Sequence, residues 1–379
     1  MTTVTKKNNL LVYKGSNYLR QRLVLSVLSG KSVKIDDIRS FDDNPGVQEF
    51  EVNLIRLLDK VTNGTIIELN ETGTSLFFQP GLLHGGSLQH DCCLDRGIGY
   101  YLEVLVMLGL FCKVQLNVTL RGVTNNCIDP SVDHILNGFL PAIKNFIIDH
   151  EGLELKILRR GMLPYGGGEV KFSCPISKQV RPIQLLESGM VKRIRGVAYA
   201  LRVSPSIANR MVDSAKGVLL KFIPDVYITT DQRKGVQSGL SPGYGIHLVA
   251  ETNQGVFYVA EQMSQPPSEG GHVSVPEEVG VKAAQCLLQQ IYLGGCVDPC
   301  AQSLAVLLMA LSRNDVSKIM VGPLSDYTIG FLRHLREFFG LTFHLEHCVS
   351  EDEKEGRGSD KIHMTCVGIG YSNLNKRTV

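Results

Sequence analysis

The stretch "RRGMLPYGGGEVKF", Arg159–Phe172, decides the fold. Three consecutive glycines, Gly166, Gly167 and Gly168, stand between two runs that read as strands. Glycine admits backbone geometries closed to other residues and lets another segment of chain come close. Two readings fit. One is a tight connection between strands. The other is a backbone cradle for a phosphate, flanked by Arg159 and Arg160. A glycine cluster alone does not choose between them.

On either side of it one local unit recurs: an amphipathic helix, a turn containing glycine, then a strand. It is read in "SNYLRQRLVLSVLSGKSVKIDDI" with Gly30 at the turn and in "EFEVNLIRLLDKVTNGTIIEL" with Asn63-Gly64. It returns in "GYYLEVLVMLGLFCKVQLNVTL" with Gly109, "DHILNGFLPAIKNFIIDHEGLELKIL" with Gly152 and "SDYTIGFLRHLREFFGLTFHLEH" with Gly340. Glycine after a helix permits a left-handed cap, and the alternating or β-branched run that follows reads as strand. The recurrence predicts a fold of internal repeats, with helices packed on mixed sheets.

The segment 184–276 breaks the rhythm. It reads as a strand "MVKRIRGVAYALRV", a helix opened by Ser204 and Pro205, a strand "VYITTD", and a hairpin across "TNQG". We expect a small α+β domain inserted into a discontinuous repeat domain of residues 1–183 and 277–379, with "QPPSEGGHVS" as its exit. The run "VSEDEKEGRGSDK" reads as a charged loop before a last strand, "IHMTCVGIGY".

The 379 residues carry 39 Lys+Arg against 37 Asp+Glu, a net charge of +2, so any nucleic-acid site must be a local patch. The ten cysteines form no CxxC pair and no cluster with zinc-ligand spacing, which predicts reduced thiols in a cytosolic or nuclear protein and no metal. No run approaches the roughly 20 apolar residues of a membrane helix, and the N-terminus lacks the apolar core of a signal peptide.

Near the C-terminus, "DPCAQSLAVLLMALS" reads as the start of a buried helix. Asp298 suits the N-cap, Pro299 the first helical position, and the run from Ala301 to Leu311 is almost wholly apolar.

The spaced pattern Arg160-Gly161-x-x-Pro164-x-Gly166-Gly167-Gly168-x-Val170 resembles the signature of RNA 3′-terminal phosphate cyclases. The resemblance runs over nearly the whole chain. "YLRQRLVLSVLSGKSVKIDDIR" is similar to the family's N-terminal helix and strand, and "FFQPGLLHGG" to its Phe-x-Pro-Gly turn. It implies an α+β fold: a large domain of three repeats, each a four-stranded sheet with two helices, plus an inserted small domain. The family's cyclases adenylate a histidine in a His-x-x-Asp-Gln run. Aligned on Gln302, this chain has Asp298 in place of that histidine and Ala301 in place of the aspartate. Tyr100 stands where a small residue is expected and Val106 where the cyclases have glutamine. Asp42 and Asp43 replace basic residues, and Gln79 replaces an arginine.

The resemblance therefore implies a non-catalytic branch of the family that serves small-subunit ribosome biogenesis. It implies no ATP or other cofactor. The expected partners are pre-ribosomal RNA, the snoRNA-containing small-subunit processing particle and a large ribosome-biogenesis GTPase, in the nucleolus and without a membrane. An anion or RNA site is expected where Arg20, Arg39, Arg160, Gly166, Gly167 and Gly168 converge. Arg22, Arg96, Arg121 and Arg159 are further cations, and Lys192, Arg193 and Arg195 form a basic strand in the insert. The alternative is an ATP-independent pre-rRNA endonuclease using Arg313, Asp315 and Lys318 as an acid–base–cation set.

Overall fold

In the computed structural model, which describes residues 9–265, 274–348 and 358–373, three four-stranded sheets share one topology. The first runs in space Leu10–Lys14, Ser32–Asp36, Leu76–Gln79, Ile66–Leu69. The second runs Gly85–Asp91, Val114–Gly122, Gly168–Cys174, Glu154–Arg159. The third runs Gln184–Leu185, Val316–Val321, Lys361–Val367, His344–Cys348. Numbered within each unit, the spatial order is always 1-2-4-3. The first pair is parallel and the other two are antiparallel.

A parallel pair needs a crossover, and in each unit the crossover is a helix. These are Leu19–Ser29, Ile98–Gly109 and Gln302–Leu311. Every residue of the last two is buried, as expected of helices that are apolar on all sides. They pack on the helices of neighbouring units, so the core lies among helices with the sheets around it. Each unit has a second helical segment: Glu49–Val61, then Val132–Lys144 with a π-helical turn at Ile135–Phe139, then Asp326–Phe339.

The fourth four-stranded sheet is Val226–Arg233, Val191–Leu201, Gly243–Thr252, Phe257–Met263. Two contacts move the bounds expected for the inserted unit. Gln184–Leu185 pairs with Lys318–Ile319 of the third sheet, so residue 184 lies outside the insert. Helix Pro276–Leu293 packs on helix Pro205–Leu219 and on the last two strands of the fourth sheet, so it belongs with the insert and not with the repeats. The physical reason is close helix packing: a Cβ on Gly280 would lie 2.4 Å from the Met211 carbonyl oxygen. The exit linker and the charged loop fall largely outside the described residues.

Gly30 and Gly340 close their helices in the left-handed conformation, at φ 70° and 72°. The other three turn glycines act differently. Thr62 and Asn63 continue from helix Glu49–Val61 straight into a short pairing with Leu82–Leu83, leaving Gly64 to turn after it. Gly109 is the last residue of its helix, where a Cβ would meet Cys174 at 2.9 Å. Gly152 turns the chain well after the helical segment ends at Lys144.

Candidate functional site

The glycine turn sits where the second sheet meets the insert. Gly166 and Gly167 have φ 62° and 79°. A Cβ on Gly167 would lie 2.8 Å from Leu240 Cγ, and the Leu240 N–H donates to the Gly166 carbonyl at 3.0 Å. The glycines therefore admit the insert's own loop. Beside them opens a cavity of about 500 Å³ lined by Arg121, Arg159, Arg202 and the turn itself.

The expected convergence of Arg20, Arg39 and Arg160 on this turn is not found. Arg160 is buried, 4% exposed, and grips Asp133 through both terminal nitrogens at 2.5 and 2.9 Å. Its Nε donates to Asp231 at 2.9 Å, and its guanidinium lies 4.8 Å from the Tyr199 ring centre. It ties a helix of the second unit to a strand of the insert, and its donors are directed at these carboxylates. Burial alone would raise the Asp133 pKa, but the Arg160 charge and hydrogen bonds outweigh it and hold the carboxyl well below its ordinary range.

Arg20 and Arg39 share a different cavity, of about 230 Å³, with Arg96 and Tyr100. Each guanidinium there meets a carboxylate. Arg20 pairs with Glu103 at 2.6 Å, Arg39 grips Glu51 with two bonds of 2.8 Å, and Arg96 Nε donates to Asp129 at 3.0 Å. Tyr100 lies under the Arg20 and Arg96 guanidinium groups, 4.3 and 4.5 Å from its ring centre, and Phe50 packs edge-on against it. Three positive and three negative groups leave this pocket little excess charge. Val106 is fully buried in its helix, and Gln79, Asp42 and Asp43 are exposed.

Asp298 is 2% exposed and both its oxygens are engaged. Oδ1 accepts the Cys300 N–H at 2.9 Å, the cap bond expected from sequence, and lies 3.0 Å from His134 Nε2. Oδ2 accepts the Val259 N–H at 3.0 Å. Burial disfavours charge on His134, but Cys300 and Asp298 outweigh it and raise the His134 pKa well above 6.5. The Asp298 carboxylate can only accept, so His134 Nε2 is the donor of this bond. Glu261 lies beyond, accepting the Ser131 N–H at 3.0 Å and placed 3.8 Å from His134 Nδ1 and 3.7 Å from His247 Nδ1. Sequence spacing predicts no metal-ligand set, yet the fold places single donor atoms of His134, Asp298 and Cys300 within 4.8 Å of one another. No local pattern could have found this group, because its members come from two repeat units.

Arg313 and Asp315 are exposed at the start of the strand Val316–Val321. The Asp315 carboxylate accepts the Val316 N–H at 2.7 Å, and Lys318 Nζ lies 3.8 Å from Glu346. Asp315 serves the backbone, and Lys318 has a carboxylate of its own. In the basic strand, Lys192 and Arg193 both pair with Glu251, and Arg195 with Asp225.

A family model described as RNA 3′-terminal phosphate cyclase matches residues 11–345. The chain belongs to that family. Within it, the chain is similar to the cyclase-like proteins. A "Probable RNA 3′-terminal phosphate cyclase-like protein" of Drosophila melanogaster is 56% identical over the full length of both chains. The "RNA 3′-terminal phosphate cyclase-like protein" of Homo sapiens is 59% identical over 97% of each. The "rRNA processing protein rcl1" of Schizosaccharomyces pombe is 45% identical over 96% of this chain and 97% of its own. Among the described residues no helix is long and apolar enough to cross a membrane.

Proposed function

We propose that the chain acts in the processing of pre-ribosomal RNA for the small subunit, without the ATP chemistry of the cyclases. The observation that carries this reading is Asp298. A nucleophile must be open to its target. Asp298 is 2% exposed; one carboxylate oxygen accepts a backbone N–H and lies 3.0 Å from His134 Nε2, and the other accepts a second backbone N–H. Support also comes from Tyr100, whose ring packs against two guanidinium groups in a cavity where cation and carboxylate are balanced. The Schizosaccharomyces pombe relative is an rRNA processing protein by name, which supports a role in rRNA processing.

On this reading the protein works in the nucleolar small-subunit particle, beside snoRNA-bound pre-rRNA and a large GTPase, as a binding and positioning factor. The test is depletion and complementation. Cells lacking the protein should accumulate unprocessed small-subunit precursor, and re-expression of the wild type should restore the normal pattern. Normal precursor levels without the protein would reject the role. The endonuclease alternative has its own assay, cleavage of a defined pre-rRNA by purified protein. Asp315 and Lys318 are already engaged with Val316 and Glu346, so Asp315→Asn should change no cleavage rate.

A further inference from the structure

The two arginine cavities differ in charge balance. In the cavity at the glycine turn, Arg159 pairs with Glu169, and the same carboxylate is 4.0 Å from Arg121 Nε. The other carboxylate near Arg121 is Asp91, at 3.6 Å and 81% exposed, a pair that water screens. Arg202 is exposed, and its Nε donates to the Gly239 carbonyl at 3.0 Å. Among the described residues no carboxylate pairs with it. Three guanidinium groups thus face one well-placed carboxylate, and donors remain unused.

The rim is apolar. Leu240 and Val236 line the cavity and are 62% and 79% exposed. On the same sheet face an adjoining groove of about 370 Å³ is lined by Gln89, Asn117, Thr119 and Lys171. Alternation along the strands Val114–Gly122 and Gly168–Cys174 brings these side chains out beside Arg121 and Glu169, and Arg121 donates to the Gln89 side-chain oxygen at 3.2 Å. A phosphate group matches the guanidinium forks, an exposed base face matches the leucine–valine rim, and a groove of amides and one lysine continues the path.

We infer that the cavity beside Gly167 and Gly168 binds a nucleotide of single-stranded RNA, its phosphate on Arg121, Arg159 and Arg202 and its base on Leu240 and Val236. This rests on the processing role proposed above, and it places RNA on the second sheet and the insert, away from Arg20, Arg39 and Arg160. Nothing in the cavity reacts. The site holds RNA, and the insert's loop supplies part of it.

The test uses the full chain and a fluorescent oligouridylate of about twelve nucleotides, titrated by anisotropy at several salt concentrations. The variant Arg121→Gln/Arg159→Gln/Arg202→Gln should lose at least tenfold in affinity. Its plot of log K against log salt should flatten by about 2, from three lost contacts at about 0.7 each. Arg193→Gln/Arg195→Gln should leave both unchanged. If the triple variant melts below the wild type, Arg202→Gln alone decides: it loses only a backbone bond and should weaken binding at least threefold. Unchanged affinity in a folded variant, or no binding by the wild type, overturns the site. So does an oligoglutamate that binds as tightly and depends on the same arginines, since the cavity would then serve an acidic protein segment. The role beneath it fails separately, through normal pre-rRNA in cells that lack the protein.

Discussion

At the scale of single residues, charged groups are paired across long distances in the chain. Arg160 and Asp133 are buried and Asp231 is half-buried, so removing Arg160 leaves a buried carboxylate without compensation. Arg160→Ala should cost about 3–5 kcal/mol in denaturant unfolding. Arg160→Lys should recover little of it, because an ammonium cannot reproduce the fork that grips both carboxylates. Asp133 is held below its ordinary range, so its contribution is present above the unfolded pKa of about 3.9 and lost as pH falls through its folded value. His90 and His334 also weaken the fold on the acid side. Burial first, then Lys60 and Arg22 respectively, depress each to about 4, so stability falls between roughly pH 6.5 and 4 as the unfolded chain takes up protons. His134 has the opposite sign: its pKa is raised, so its contribution is full below about 6.5 and lost as pH rises through the folded value. Melting curves from pH 4 to 9 should show His334→Gln flattening the acid limb and His134→Gln flattening the alkaline limb. An unchanged acid limb in His334→Gln would contradict the assignment.

At the scale of elements, what was legible in the sequence was local. Asp298–Pro299, Ser204–Pro205, Gly30 and Gly340 mark helix ends because the capping group and the helix lie within a few residues of each other. Gly152 stands in the turn before Glu154–Arg159 as read, whereas the places of Gly64 and Gly109 are set from elsewhere in the chain, by strand pairing to Leu82–Leu83 and by the approach of Cys174. The partners of Arg20, Arg39 and Arg160 were not legible, since Glu103, Glu51, Asp133 and Asp231 are set by the fold. The glycine turn tests this distinction. Gly167→Ala should destabilise by about 1–3 kcal/mol, because its φ is positive and Leu240 occupies the space of a side chain. Gly217→Ala, on an exposed helix face with nothing within 4 Å, should stabilise by about 0.5–1 kcal/mol. Equal effects in chemical denaturation would show that the turn is not constrained as described.

At the scale of the whole molecule, a strand order used three times carries a fourth sheet within its third unit. The sequence pattern showed that something repeats and that something interrupts it. The order 1-2-4-3 depends on long-range pairing and was not visible. Limited proteolysis should cut first in "QPPSEGG", ahead of helix Pro276–Leu293, a polar stretch with little to bury. The loop "VQSGLSPG" should be cut later, because Ser238, Gly239 and Ser241 are buried and Leu240 is bonded to the glycine turn. Asp298 joins the second unit, the third unit and the insert through His134, Cys300 and Val259. The central expectation is that the protein is not adenylated. Purified protein incubated with α-labelled ATP and divalent metal, then denatured and run on a gel, should carry no label. Asp298→His/Ala301→Asp should carry none either, with Tyr100, Val106 and Gln79 unchanged. A covalent adenylate on the wild-type chain that disappears in Asp298→Ala would contradict it.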